Sequence, residues 1–237
     1  MKRVALIFSF ICLCLIFNSC DKVKGKGDVV SQMRNITGFT AISLAMEGDL
    51  YFTPDSVYSV EIQAQQNILD VIESPVEGGR LVFKIKDHTV LGNHDQIRIY
   101  IHAPSVNDLD ISGSGNIMTV SQLDEHDLRF NISGSGNINL YEIGSYSVNG
   151  NISGSGNITG SAGTTDLESL NISGSGNLDF LNVMADSAYV TISGSGDVKV
   201  YAVKYLEVTI SGSGNVRYNG NPVINQHISG SGNVTHI

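Results

Sequence analysis

Ile111-Ser112-Gly113-Ser114-Gly115-Asn116 recurs seven times, with Asp197 replacing the final Asn once. The copies begin at Ile111, Ile132, Ile152, Ile172, Ile192, Ile210 and Ile228, at intervals of 21, 20, 20, 20, 18 and 18 residues. A period near 20 residues marks a solenoid. Each turn is one supersecondary unit that buries its apolar side only against its neighbours.

Alternation decides between strand and helix. Leu128, Phe130 and Ile132 share one face, as do Val148, Gly150 and Ile152 one turn later, and Val208 with Ile210. Arg129, Asn131 and Asn151 face the other way. That is the period of a half-buried strand. Beyond each Gly-Ser-Gly a second apolar column begins with Ile117, Ile138, Ile158, Leu178, Val198, Val216 and Val234, supported by Leu140, Phe180, Val200 and Tyr218. A more variable third stretch closes each turn. Gly-Ser-Gly between two strands reads as a corner, where glycine turns the backbone through φ > 0. These features predict an all-β fold, a single-stranded parallel β-helix of about 20 residues per coil. It is expected to be right-handed because parallel crossovers almost always are. In such a stack Asn116, Asn137, Asn157, Asn177, Asn215 and Asn233 superimpose and form an amide ladder. Asp197 is expected to accept from the amide on either side of it.

The rest of the composition fits a folded, exported protein. Of 237 residues, 26 are glycine, four are proline and none is tryptophan. The net charge of −9 excludes a non-specific nucleic-acid binder, which would be basic. The three cysteines, Cys12, Cys14 and Cys20, all lie in the first twenty residues, so none is left for a disulfide or zinc site in the body. Lys2 and Arg3 precede an apolar stretch from Val4 to Phe17, too short to span a bilayer and suited to a signal peptide. It ends in Phe17-Asn18-Ser19-Cys20, a bacterial lipobox pattern, so residues 1–19 are expected to be removed and Cys20 acylated. Residues 20–28 are polar and glycine-containing and read as a flexible tether. Residues 29–104 keep strand alternation without the hexapeptide, and are expected to form irregular first coils or an N-terminal β cap. A short helical turn is expected within residues 67–72. Residues 105–237 form the repeat. At its far end Ile228, Val234 and Ile237 are expected at an uncovered strand edge, for a second chain or second copy to cover.

Arg34-Asn35-Ile36-Thr37-Gly38-Phe39-Thr40-Ala41-Ile42, the junction Ile99-Tyr100-Ile101-His102-Ala103-Pro104 and the repeated Ile-Ser-Gly-Ser-Gly-Asn together resemble the head GIN domain family of auto-transporter adhesins. The resemblance covers about residues 30–237. It implies a β-helical, envelope-associated protein and carries no catalytic motif. No segment reads as a translocator barrel, and the lipobox takes its place.

No residue set points to catalysis, a cofactor or a metal. Asp110, Asp124, Asp127, Asp166, Asp179, Asp186 and Glu207 fall at unequal offsets within the repeat. The six histidines show no HxH or HExxH spacing, and Asn at the corners is a weak calcium ligand compared with Asp. Asp55-Ser56-Val57 and Asp186-Ser187-Ala188 match a bacterial O-glycosylation pattern. The resulting expectation is a non-enzymatic, lipid-anchored envelope protein, in the outer membrane and facing periplasm or surface. It would act as an adhesin or scaffold binding a glycan or protein. The competing reading is a polysaccharide lyase or hydrolase built on the same β-helix.

Overall fold

A computed structural model describes residues 21–237; residues 1–20, with the expected signal peptide and the expected acylation position Cys20, lie outside the described residues. The chain is a β-solenoid of about six turns, built almost wholly from strands. Strands before and after each corner form two columns of parallel pairs. Before the corner, Asp108–Ile111 pairs with Asp127–Ile132, which pairs with Glu142–Ile152 and so on to Val223–Ile228. Throughout, hexapeptide isoleucine sits on hexapeptide isoleucine: Ile111 on Ile132, Ile132 on Ile152, Ile152 on Ile172, Ile172 on Ile192. After the corner, Ile117, Ile138, Ile158, Leu178, Val198 and Val216 stack in the same way and are fully buried. Phe52, Phe83, Phe130 and Phe180 fill the interior between the columns. The aromatic bulk is matched by small partners: a Cβ on Gly160 would lie 2.6 Å from Val183 and 3.1 Å from Phe180.

The corner glycines serve a different purpose from the one expected. None of the hexapeptide glycines has positive φ. They are required by the closeness of the stack. A Cβ on Gly134 would stand 1.9 Å from the Gly113 carbonyl oxygen, and one on Gly136 would stand 1.7 Å from that of Gly115. The ladder continues through the bend, with Ser135 N–H donating to Gly113 at 3.1 Å and Ser155 N–H to Gly134 at 3.1 Å. Any side chain at these glycines would force neighbouring coils apart.

Coil geometry begins well before the first hexapeptide. Ala41–Leu44 pairs in parallel with Asp108–Ile111, and Asp49–Pro54 pairs with Asn116–Thr119. Leu44 therefore lies on Ile111 and Asp49 on Asn116. Leu44-Ala45-Met46-Glu47-Gly48-Asp49 is a degenerate copy of the corner, and Arg80–Ile85 adds one further rung beneath it. At this same end lies the cap. Ser59–Gln65 runs antiparallel to Arg98–Ala103, and Val29–Arg34 runs antiparallel to Ser59–Gln65. The helix Gln66–Leu69 tucks Ile68 and Leu69 under it.

The segment expected as a tether is folded. Asp21–Val23 is a strand parallel to Thr89–Leu91, and Val23 and Leu91 pack against the core. Its polar composition hid this, because most of its side chains face water while the backbone makes the bonds. At the other end Ile228 is 38% exposed and Ile237 52% exposed. The inward columns turn polar there, with Gln226 on Val208 and His236 on Tyr218.

Candidate functional site

The outward side of the strands before each corner carries three columns, with Asp127, Ser147, Leu167, Ser187 and Tyr205 on one flank and Asn131, Asn151, Asn171, Thr191 and Thr209 on the other. The central column runs Arg80, Ala41, Asp108, Arg129, Asn149, Ser169, Tyr189, Glu207. Ala41 is small, so Arg80 reaches across that rung to Asp108, with Nη2 to Oδ2 at 2.6 Å and Nη1 to Oδ1 at 3.3 Å. The hydrogen bond donated to this carboxylate raises the pKa of the Arg80 guanidinium above its ordinary value. With Asp108 committed to Arg80, the next arginine is unpaired. Among the described residues, no ion pair involves Arg129.

Arg129 lies in a groove of about 350 Å³ lined also by Asn107, Asp108, Asp127, Ser147 and Asn149. Asp127 accepts from the Ser147 hydroxyl and lies 2.9 Å from His126 Nδ1. Those two bonds hold its carboxyl below the usual range. His126 stacks on Tyr146 at 4.9 Å between ring centroids, and Tyr146 is 52% exposed. Farther along the same face Tyr189 and Tyr205 meet at 5.8 Å, and the Tyr205 hydroxyl donates to Glu207 at 2.9 Å. Three rungs of ~4.8 Å separate Arg129 from Tyr189, so guanidinium and aromatic pair are roughly 14 Å apart along the rod. One free cation, amide and carboxylate oxygens, and aromatic rings with polar neighbours are the means by which proteins hold polyhydroxylated and polar chains.

On the adjoining face the predicted ladder is present. Asn137 Nδ2 donates to Asn116 Oδ1 at 2.9 Å, Asn157 to Asn137 at 2.8 Å and Asn177 to Asn157 at 2.8 Å. The donation runs one way, each amide giving to the coil before it. Asp197 therefore accepts from Asn215 alone, at 2.9 Å, while its own backbone N–H donates to Asn177 Oδ1. At Asn233 only the backbone N–H joins the ladder. The first acceptor is Asp49, which takes the Asn116 amide at 2.9 Å. A second, shorter ladder links Asn171 to Asn151 to Asn131 on the three-column face.

One group escaped the sequence reading. Glu168 points inward, in the column of Leu128, Val148, Ala188 and Leu206. It is fully buried, neither carboxyl oxygen has a hydrogen-bond partner, and burial pushes its pKa well above the ordinary value. Aligning the fourth residue before each hexapeptide reveals it: from the second copy onward the column reads Leu128, Val148, Glu168, Ala188, Leu206 and Ile224, apolar except at Glu168. It is sealed from the outer face.

The fold is shared with several solved structures. A "putative adhesin" from Bacteroides fragilis superimposes with a TM-score of 0.87 at 22% identity, over 91% of this chain and 100% of that one. A "putative lipid binding protein" from Parabacteroides distasonis gives 0.77 at 24% identity, over 92% and 100%. A "putative adhesin" from Parabacteroides merdae gives 0.75 at 22% identity, over 92% and 99%. No curated protein matches the chain. The family model described as "putative auto-transporter adhesin, head GIN domain" matches residues 38–222, so with the stacked corners it represents now in view, the chain belongs to that family.

Proposed function

We propose that this protein is a non-enzymatic adhesin of the bacterial cell envelope, anchored by lipid at Cys20, whose three-column face binds a surface glycan. Family membership points to an envelope location. The observation that carries the ligand reading is the unpaired Arg129 in a groove on a face that also bears the Tyr189–Tyr205 pair. The lipid anchor rests on the lipobox ending at Cys20.

The protonation states favour binding over hydrolysis or lyase chemistry. A glycosidase needs one carboxyl held protonated beside the substrate. In the groove Asp108 is tied to Arg80 and Asp127 is held ionised by Ser147 and His126. The carboxyl with a strongly raised pKa is Glu168, enclosed in the core. A glycan array probed with the mature chain tests the reading. Selective binding weakened about tenfold or more by Arg129→Gln or Tyr189→Ala supports it. Binding unchanged in both variants removes the face from consideration.

A further inference from the structure

The folded state of residues 21–27 bears on how the protein meets its membrane. Asp21 N–H donates to the His88 carbonyl at 2.8 Å, Gly92 N–H to Val23 at 2.7 Å and Gly25 N–H to Asn93 at 2.9 Å. Asn67 clamps the next turn, its Nδ2 donating to Lys24 O at 2.7 Å and its Oδ1 accepting from Lys26 N–H at 2.9 Å. Gln65 Nε2 donates to Gly27 O at 3.0 Å. The first described residue is thus bonded to the cap, and Cys20 is one peptide unit, ~3.8 Å between Cα atoms, from it. No slack chain separates the acylation position from the fold.

The cap surface around that point has the chemistry of a headgroup contact. Val90 is 50% exposed and lies in register with Lys22, and the Lys22 and Lys24 side chains run side by side over Gly92. Lys26 follows at the next alternate position, and none of the three lysines is in an ion pair among the described residues. Asp21 and Asp28 flank them, so the segment is only weakly positive, in a chain whose net charge is −9. The edge strand Val29–Arg34 continues directly from it, with Val29 and Val30 about two-fifths exposed. Exposed apolar side chains interleaved with free lysines suit the boundary between headgroups and acyl chains of an anionic leaflet.

We propose that the N-terminal cap itself rests on the membrane leaflet through the Asp21–Val23 and Thr89–Leu91 ribbon, so that the solenoid stands away from the bilayer with its last coil outermost. The proposal rests on the acylation of Cys20 and deepens that reading. Seven steps of ~4.8 Å from Asp49 to Asn233 put the last coil roughly 34 Å from the first corner. The three-column face then runs outward from the membrane, accessible along its length.

Every natural cysteine lies at or before Cys20, so one introduced cysteine gives one labelling site. The full chain carrying Val90→Cys, or Thr235→Cys at the far end, would be expressed with its leader and purified from membranes in detergent. Each is labelled with an environment-sensitive fluorophore and reconstituted into phosphatidylethanolamine–phosphatidylglycerol vesicles containing a headgroup-linked quencher. The label at 90 should be quenched at least fivefold more than the label at 235. Changing Lys22, Lys24 and Lys26 together to Gln should reduce quenching at 90. Equal quenching at both positions means a rod lying flat or swinging freely, and overturns the proposal. Absence of quenching at both, in protein that floats with the vesicles, also overturns it. Protein that fails to float and lacks the acyl mass overturns the lipid-anchor reading itself.

Discussion

Replacing Glu168 by glutamine and by leucine probes the interior of the stack most sharply. Glu168 is the one acidic or basic side chain among the buried described residues, and its neighbours in the column are Val148 and Ala188. Burial without a partner keeps the folded-state carboxyl protonated far above the ordinary glutamate range. In the unfolded chain the same group ionises near its usual ~4.3. Above that pH the unfolded state binds fewer protons than the folded one, so stability falls as pH rises. The slope for one such group is about 1.4 kcal/mol per pH unit, and it persists until the folded carboxyl itself titrates. Other carboxylates titrate too, but they are common to wild type and variant. The stability of Glu168→Gln minus that of wild type therefore isolates the effect. Urea melts at half-unit pH intervals should show that difference growing by about 1.4 kcal/mol per unit. Glu168→Leu, which leaves no polar group unpaired, should exceed Glu168→Gln by about 1–3 kcal/mol. Wild type and Glu168→Gln running parallel across the range would refute a neutral, unpartnered carboxyl in the core, as would a leucine variant weaker than wild type at pH 7.

Five further substitutions test the stack. Gly154→Ala places a methyl where a Cβ would lie 1.9 Å from the Gly134 carbonyl oxygen, and should cost about 3 kcal/mol or more. Ser155→Ala, on the exposed side of the same corner, should stay within about 0.5 kcal/mol in the same melts. Ile172→Ala, in a central coil and 1% exposed, should cost about 2–5 kcal/mol. Asn177→Asp sets a carboxylate against Asp197, whereas Asn157→Asp keeps an amide on each side. The first should be the less stable in thermal melts at low salt, by up to about 1 kcal/mol, with the gap closing in 1 M salt. Asn116 is not a suitable control for this comparison, because it already donates to Asp49.

The repeat made the solenoid legible, since near-identical hexapeptides at near-constant spacing leave one way to superimpose Ile132, Ile152 and Ile172. It did not reveal why glycine stands at the corners. A positive-φ turn and a close backbone approach demand the same residue, and only coordinates distinguish them. Leu44 to Asp49 was hidden because Ala45-Met46-Glu47 keeps the corner's length but not its letters. The Arg80–Asp108 pair joins positions 28 residues apart and depends on Ala41 being the small residue between them, a fact of register rather than spacing. Unpaired Arg129 follows from that pair and was invisible for the same reason. Asp21 to Gly27 misled because composition reports what side chains prefer, while this segment is held by its backbone and by Gln65 and Asn67. Glu168 was readable, but only after the column four residues before each hexapeptide is aligned.

The most direct test of the proposal that this face holds a polymer without cutting it is one titration read two ways. Purified bacterial surface polysaccharide is titrated with the mature chain by calorimetry, and its length distribution is measured before and after overnight incubation. Saturable binding that Arg129→Gln weakens about tenfold, with the polymer's length unchanged, is the predicted result. Shortened polymer, or binding indifferent to both Arg129→Gln and Tyr189→Ala, would contradict the account.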